Sequence, residues 1–197
     1  MAVLMIMELD GATTDDYEAV NEAIGIHAGN LPDGLISHAV GPTEDGTGLL
    51  ITDVWESPEQ LEHFVQNQVG PAMEKVGLES AAQPRVHPVH NHITQGSGTE
   101  GNVILLIESP GFQPEHYDAI TSEMPAHAGD GSGHPAVSHI AAITDDGMVF
   151  VDIWDSPESV QKFMDEEVGP ASDTAGASLG DVTPRVVPVH NRFTPAA

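Results

Sequence analysis

Cysteine is absent from this 197-residue chain and cationic side chains are scarce: five Lys plus Arg stand against 31 Asp plus Glu, a formal net charge of −26. Without cysteine there are no disulfides, iron–sulfur clusters, cysteine-ligated zinc or thiol nucleophile. Phosphate backbones and anionic membrane surfaces need Lys and Arg to neutralise them, so neither nucleic acid nor a membrane is an expected partner. A long apolar run is missing too. The opening stretch Val3 to Met7 is too short to span a bilayer and no basic segment precedes it, so a soluble, cytoplasmic protein is expected. The acidity suits a well-solvated surface, or equally a chain that folds in concentrated salt. No G-x-S-x-G elbow and no glycine-rich nucleotide loop of strand–loop–helix form is present. What is present is 40% hydrophobic residues, enough for a core, in a length that fits one ordinary domain or two small ones.

An internal repeat decides between those two. Asp53-Val54-Trp55-Glu56-Ser57-Pro58-Glu59 is answered by Asp152-Ile153-Trp154-Asp155-Ser156-Pro157-Glu158, and Val69-Gly70-Pro71 by Val168-Gly169-Pro170. Pro84-Arg85-Val86 and Pro88-Val89-His90-Asn91 recur as Pro184-Arg185-Val186 and Pro188-Val189-His190-Asn191. Tyr17 matches Tyr117, His27 matches His127, and Ser37-His38 matches Ser138-His139. Two copies of one unit are expected, at 1–95 and 102–197. A flexible Gly/Ser/Thr-rich linker would join them at 96–101.

Within the first copy, Val3 to Glu8 reads as a strand, and Thr13 to Ile24 as a helix carrying Tyr17, Val20 and Ile24 on one face. Leu35 to Val40 and Leu49 to Trp55 read as strands around a turn at Glu44-Asp45-Gly46. Ser57-Pro58-Glu59-Gln60 is a helix start with Ser as N-cap, Pro at N1 and Gln in capping-box position; Gly70-Pro71 is expected to bend or break that helix. Arg85 to Ile93 is the last strand, with Pro88 marking an edge or irregularity. The order β-α-β-β-α-β is the ferredoxin-like split unit. Its strands are apolar on both faces (Leu49, Leu50, Ile51, Val54), whereas helices cover only one face of such a sheet. The expected fold is therefore α+β, two ferredoxin-like βαββαβ units packed sheet to sheet as an intramolecular pseudo-dimer.

With this element order and the strand-end Trp55 to Glu59 and Trp154 to Glu158, the chain resembles the dimeric α/β-barrel superfamily, in particular its antibiotic-biosynthesis-monooxygenase-like branch. The resemblance covers nearly the whole chain, one barrel half per copy. It implies a ligand cleft between helices and sheet. It implies one of several activities: cofactor-independent oxygenation, haem degradation, polyketide cyclisation or isomerisation, or none. The haem-degrading members carry a haem-ligating His late in the second helix and an Asn on the first strand. Those positions fall near Glu74 and Asp173, and near Leu4 and Ile104, so haem is not expected and no cofactor is assigned.

His38 and His139 are the candidate bases: an imidazole that titrates near neutrality can deprotonate a phenol or an enol. The competing reading is a core histidine bonded to a carbonyl or carboxylate. Trp55 and Trp154 are candidate pocket walls beside Asp53 and Asp152 on the same strand face, or simply core. Arg85 and Arg185 are candidate anion holders, or partners of nearby acids. Tyr17 and Tyr117 are candidate cleft hydroxyls, or packing residues of the first helix. His90-Asn91-His92 places two imidazoles at i and i+2, but the second copy reads His190-Asn191-Arg192, and no metal is expected. The function expected is a cofactor-independent oxygenase or isomerase acting on an aromatic or polyketide-like small molecule. The alternative is a non-catalytic small-molecule-binding or stress-related protein. The copies differ at His92/Arg192, at Phe112 against Gly11-Ala12, and in His134 of the longer second-copy loop, so one pocket is free to decay. Further homo-oligomerisation is left open.

Overall fold

The first helix of the chain begins where its cap chemistry places it. In the computed structural model, which describes residues 1–27, 30–78, 82–94, 101–127, 133–180 and 182–194, Thr13 Oγ1 accepts the Asp16 amide at 3.2 Å, and Asp16 Oδ2 takes the Thr13 amide at 2.8 Å. This capping box satisfies two orphan donors and starts α1 (Thr14–Ile24); Gly25, at φ 82°, ends it. α1 follows β1 (Val3–Asp10) and precedes β2 (Leu35–Pro42) and β3 (Gly48–Trp55). Ser57 then caps α2 (Pro58–Phe64) by accepting the Gln60 amide at 3.3 Å.

The expected interruption at Gly70-Pro71 takes a particular form. The helix widens to a π-turn over Val65–Val69, where the Gly70 amide reaches back to the Val65 carbonyl, and continues as α3 (Gly70–Val76). Pro71 has no N–H to give, and the wider turn accommodates its ring without ending the helix. The second copy repeats the series: β5 (Val103–Pro110), α4 (Pro114–Ser122), β6 (Ser138–Ile143), β7 (Gly147–Trp154), α5 (Pro157–Phe163), a π-turn at Met164–Val168, and α6 (Gly169–Ala175). The α+β class and the order within each copy are as expected. Among the described residues no helix is long and apolar enough to cross a membrane.

The last strand of each copy divides between two compact units. In β4 (Arg85–Thr94), residues 85–88 pair antiparallel with β1, and residues from Val89 onward pair with β6. In the second copy the strand breaks into β8 (Arg185–Pro188), paired with β5, and β9 (Asn191–Phe193), paired with β2. One unit therefore comprises residues 1–88 and 189–197, with strand order β4-β1-β3-β2-β9; the other comprises residues 89–188, with order β8-β5-β7-β6-β4. These units differ from the sequence repeats 1–95 and 102–197. Pro88 and Pro188 cannot donate to the next rung of the β1 and β5 ladders, and the chain beyond each takes a different partner strand. Of the expected linker 96–101, residues 96–100 lie outside the described residues.

In the first unit, Val3, Met5, Leu9, Leu49, Ile51 and Trp55 share a core with Tyr17, Leu61 and Phe64 of the helices. The alternating positions Leu4, Ile6, Leu50 and Val54 are completely buried as well, so both sheet faces are covered, as the doubly apolar strands predict. The second unit repeats this with Val103, Leu105, Ile107, Phe150 and Trp154 on the helix face and Ile104, Leu106 and Val151 on the other.

Candidate functional site

Strand register brings the site together. His38 on β2 lies directly opposite Asp53 on β3, and Asp53 lies opposite Met5 on β1, so the three side chains form one row on the helix-facing side. His139, Asp152 and Leu105 form the same row in the second unit. His38 Nδ1 is 2.6 Å from Asp53 Oδ1, and His139 Nδ1 is 2.8 Å from Asp152 Oδ1. The other carboxylate oxygen accepts a tryptophan indole N–H, Trp55 to Asp53 at 3.3 Å and Trp154 to Asp152 at 3.4 Å. Both carboxyl groups are buried, and these donors offset the cost of burying their charge.

A carboxylate only accepts, so Nδ1 of each imidazole carries the proton and Nε2 presents its lone pair. That lone pair faces a tyrosine: Tyr17 Oη is 2.8 Å from His38 Nε2, and Tyr117 Oη is 2.9 Å from His139 Nε2. Burial, before any other cause, raises both phenols above their ordinary pKa, which keeps them protonated and donating. Asparagine stands beside each phenol. Asn91 Nδ2 donates to Tyr117 Oη at 2.7 Å, and Asn21 and Asn191 partly oppose the rise of the Tyr17 pKa.

The His-Asn pair after each Pro-Val thus has a place. His190 bonds Glu18 at 2.9 Å and stands edge-on to Tyr17, while His90 bonds Asp118 at 2.8 Å and stands edge-on to Tyr117. The sequence shows these residues as a repeated motif, but only strand pairing reveals that 189–197 complete the first unit and 89–94 the second.

Of the residues singled out by sequence, Tyr17, His38 and Trp55 come together in one unit, and Tyr117, His139 and Trp154 in the other. The tryptophans are buried, and each serves as core and cavity wall at once. Arg85 and Arg185 are not brought in. The Arg85 side chain is 44% exposed and its guanidinium lies 3.8 Å from Glu8, and neither arginine lines either of the two cavities beside the histidines. Arg85 pairs with Ile6 and Arg185 with Leu106, one position along from the rows that run through Met5 and Leu105, so alternation puts both arginines on the opposite sheet face.

Each relay faces a cavity between helices and sheet. In the first unit it measures about 280 Å³ and is walled by Met5, Met7, Val20, Ile24, Ile51, Phe64 and Phe193 among others, with Tyr17, Asn21, His38 and Asp53 its polar part. In the second it measures about 70 Å³. Here two additional imidazoles crowd the relay. The His127 and His134 rings lie 5.2 and 5.0 Å from His139 and 4.9 Å from each other. Burial, reinforced by His139, pushes His127 down to about 4 and His134 down to about 3. His92 is likewise pushed down to about 4 by burial and then by His139. Among the described residues no three His, Asp or Glu side chains are arranged to hold a metal ion.

The chain has the fold of proteins at the far edge of sequence similarity. A candidate monooxygenase from Fusobacterium nucleatum superposes with a TM-score of 0.73 at 8% identity, covering 100% of this chain and 95% of its own. A candidate monooxygenase from Lactobacillus acidophilus gives 0.71 at 13% identity, covering 100% and 97%. An anthrone oxidase-like protein gives 0.52 at 14% identity, covering 100% and 94%. The fold of these proteins is therefore shared over the full chain, as the element order and strand-end motifs predict. No family model matches the sequence, and no curated protein matches it.

Proposed function

We propose that the chain is a cofactor-independent oxygenase or isomerase that deprotonates an aromatic or polyketide-like small molecule in a helix–sheet cavity. The observation that carries this reading is the Tyr17–His38–Asp53 relay opening on an apolar cavity, with its counterpart Tyr117–His139–Asp152. Asp53 fixes the tautomer of His38 and stabilises the imidazolium that forms. The substrate proton passes to Tyr17 Oη as the phenol's own proton moves to His38 Nε2. The resulting substrate anion keeps a hydrogen bond from Tyr17. Return of the proton to another carbon is isomerisation. In oxygenation, dioxygen is the co-reactant: the activated CH2 becomes a ketone with one oxygen atom, and the other oxygen leaves as water with the two hydrogens.

The test is oxygen uptake and product analysis with a panel of anthrones, naphthols and related keto–enol aromatics. Turnover is expected in the wild type and a fall of about 10²–10⁴-fold in the His38→Ala, His139→Ala double variant. Binding without turnover, or turnover indifferent to both substitutions, refutes the catalytic reading and leaves a ligand-binding protein.

A further inference from the structure

The Tyr–His, His–Asp and Trp–Asp distances of the two relays agree to within 0.2 Å, yet their cavities differ fourfold, about 280 against about 70 Å³. At three matched positions the second unit carries a ring that the first lacks. Phe112 stands where the first copy has Ala12, Phe150 where it has Ile51, and His134 where it has Asp33. Asp33 is exposed and is not among the residues lining the first cavity, whereas His134 is only 3% exposed. Its ring stacks on His139 at 5.0 Å and 26°, lies against Phe163 at 5.2 Å, and is 6.2 Å from Trp154. The Ala136 amide donates to its Nδ1 at 3.1 Å and pins it there. His134 is thus a flat ring laid over the base of the second relay. In the first unit Trp55 and Phe64 lie 5.1 Å apart beside His38, Phe193 of β9 stacks on the His38 ring at 5.5 Å and 25°, and the cavity opens along these side chains with no counterpart of the His134 ring among the described residues of its wall.

We infer that the chain binds one ligand, in the first unit alone, with an aromatic ring against His38 beside Trp55 and Phe64, where the second unit carries its own His134 ring. A cavity of about 150 Å³ holds benzene, so 280 Å³ takes roughly two fused rings and 70 Å³ takes none. Among the described residues the wall of the first cavity contains no Lys or Arg, and its polar groups gather at Tyr17, Asn21, His38 and Asp53. The ligand is therefore an uncharged two-ring aromatic with a hydroxyl or keto group at one end, because a carboxylate would be buried there unpaired. This rests on reading the relay cavities as ligand sites, and not on turnover.

2-Naphthol is the probe, titrated by calorimetry and by tryptophan quenching. One equivalent per chain is expected. Trp154→Phe, which leaves Trp55 as the sole reporter, should keep the quench. Ile51→Phe, which copies the second unit's filler into the first, should weaken binding at least tenfold. His134→Ala with Phe150→Ile should add a second equivalent. Two equivalents in the wild type, undiminished affinity in Ile51→Phe, or no binding of 2-naphthol overturns the inference; should the double variant fail to fold, the wild-type stoichiometry and Ile51→Phe decide alone. Binding of one equivalent with no turnover of any substrate refutes the proposed catalysis and leaves this assignment standing.

Discussion

Mild acid should unfold the second unit well before carboxylates titrate, because that unit buries three neutral imidazoles. Folding lowers His92 and His127 from 6.5 to about 4 and His134 from 6.5 to about 3. A group whose pKa is depressed by folding takes up protons more readily in the unfolded chain, so acid favours unfolding. The stabilisation is complete above pH 6.5 and drains away as pH falls towards the folded values. At pH 5 the unfolded imidazole is almost fully protonated and the folded one almost fully neutral. The loss relative to neutral pH is then about 2 kcal/mol per group, whether the folded pKa is 3 or 4. Allowing for solvent screening of the less buried His92 and His127, the three together amount to about 4–6 kcal/mol, comparable with the whole stability of a small domain. The assay is urea unfolding at pH 7 and pH 5 in Trp55→Phe, where Trp154 reports on the second unit. At an m-value of about 2 kcal/mol/M, the midpoint should fall by about 2–3 M. His134→Gln, which cannot titrate, should recover roughly a third of that fall. An unchanged midpoint at pH 5, or a fall untouched by His134→Gln, refutes the attribution to these rings.

Two further outcomes are expected. Gly48→Ala places a Cβ 2.5 Å from the Leu9 carbonyl at the end of the β1–β3 ladder, and backbone cannot give way as a side chain would. It should cost about 1–3 kcal/mol in thermal unfolding, whereas Gly133→Ala, with nothing within 4 Å, should be neutral. Ending the chain after Pro188 removes β9 with His190, Asn191 and Phe193, all of which belong to the first unit. Trp55 fluorescence and urea unfolding should then report a first unit weaker by about 2–4 kcal/mol, the burial of one Phe plus a few hydrogen bonds. An effect confined to Trp154 would contradict the strand assignment.

The elements and their order were legible in the sequence because they depend on local chemistry. Thr13 and Ser57 cap their helices, Gly25 ends one, and strands apolar on both faces lose water on both, as they do at Leu4 and Met5 alike. The members of the relay were legible as well. His38, Tyr17 and Trp55, with Asp53 beside them, were marked by matched positions and shared faces, although the hydrogen bonds among them were not. Those bonds depend on register between strands and on how α1 lies over the sheet. Arg85 and Arg185 drew attention as rare cations, but rarity does not say which way a side chain faces, and Arg85 lies beside a half-buried Glu8.

The sequence alone determined two copies of one βαββαβ unit, each with a histidine on its second strand, since periodicity, caps and proline positions act within a few residues. Tertiary structure alone decided which strand receives the segment beyond Pro88 or Pro188, and which copy keeps an open cavity. A strand end pairs wherever an unfilled edge lies, and a cavity is the volume left over by side chains from every surrounding segment, so neither is a property of any stretch read by itself.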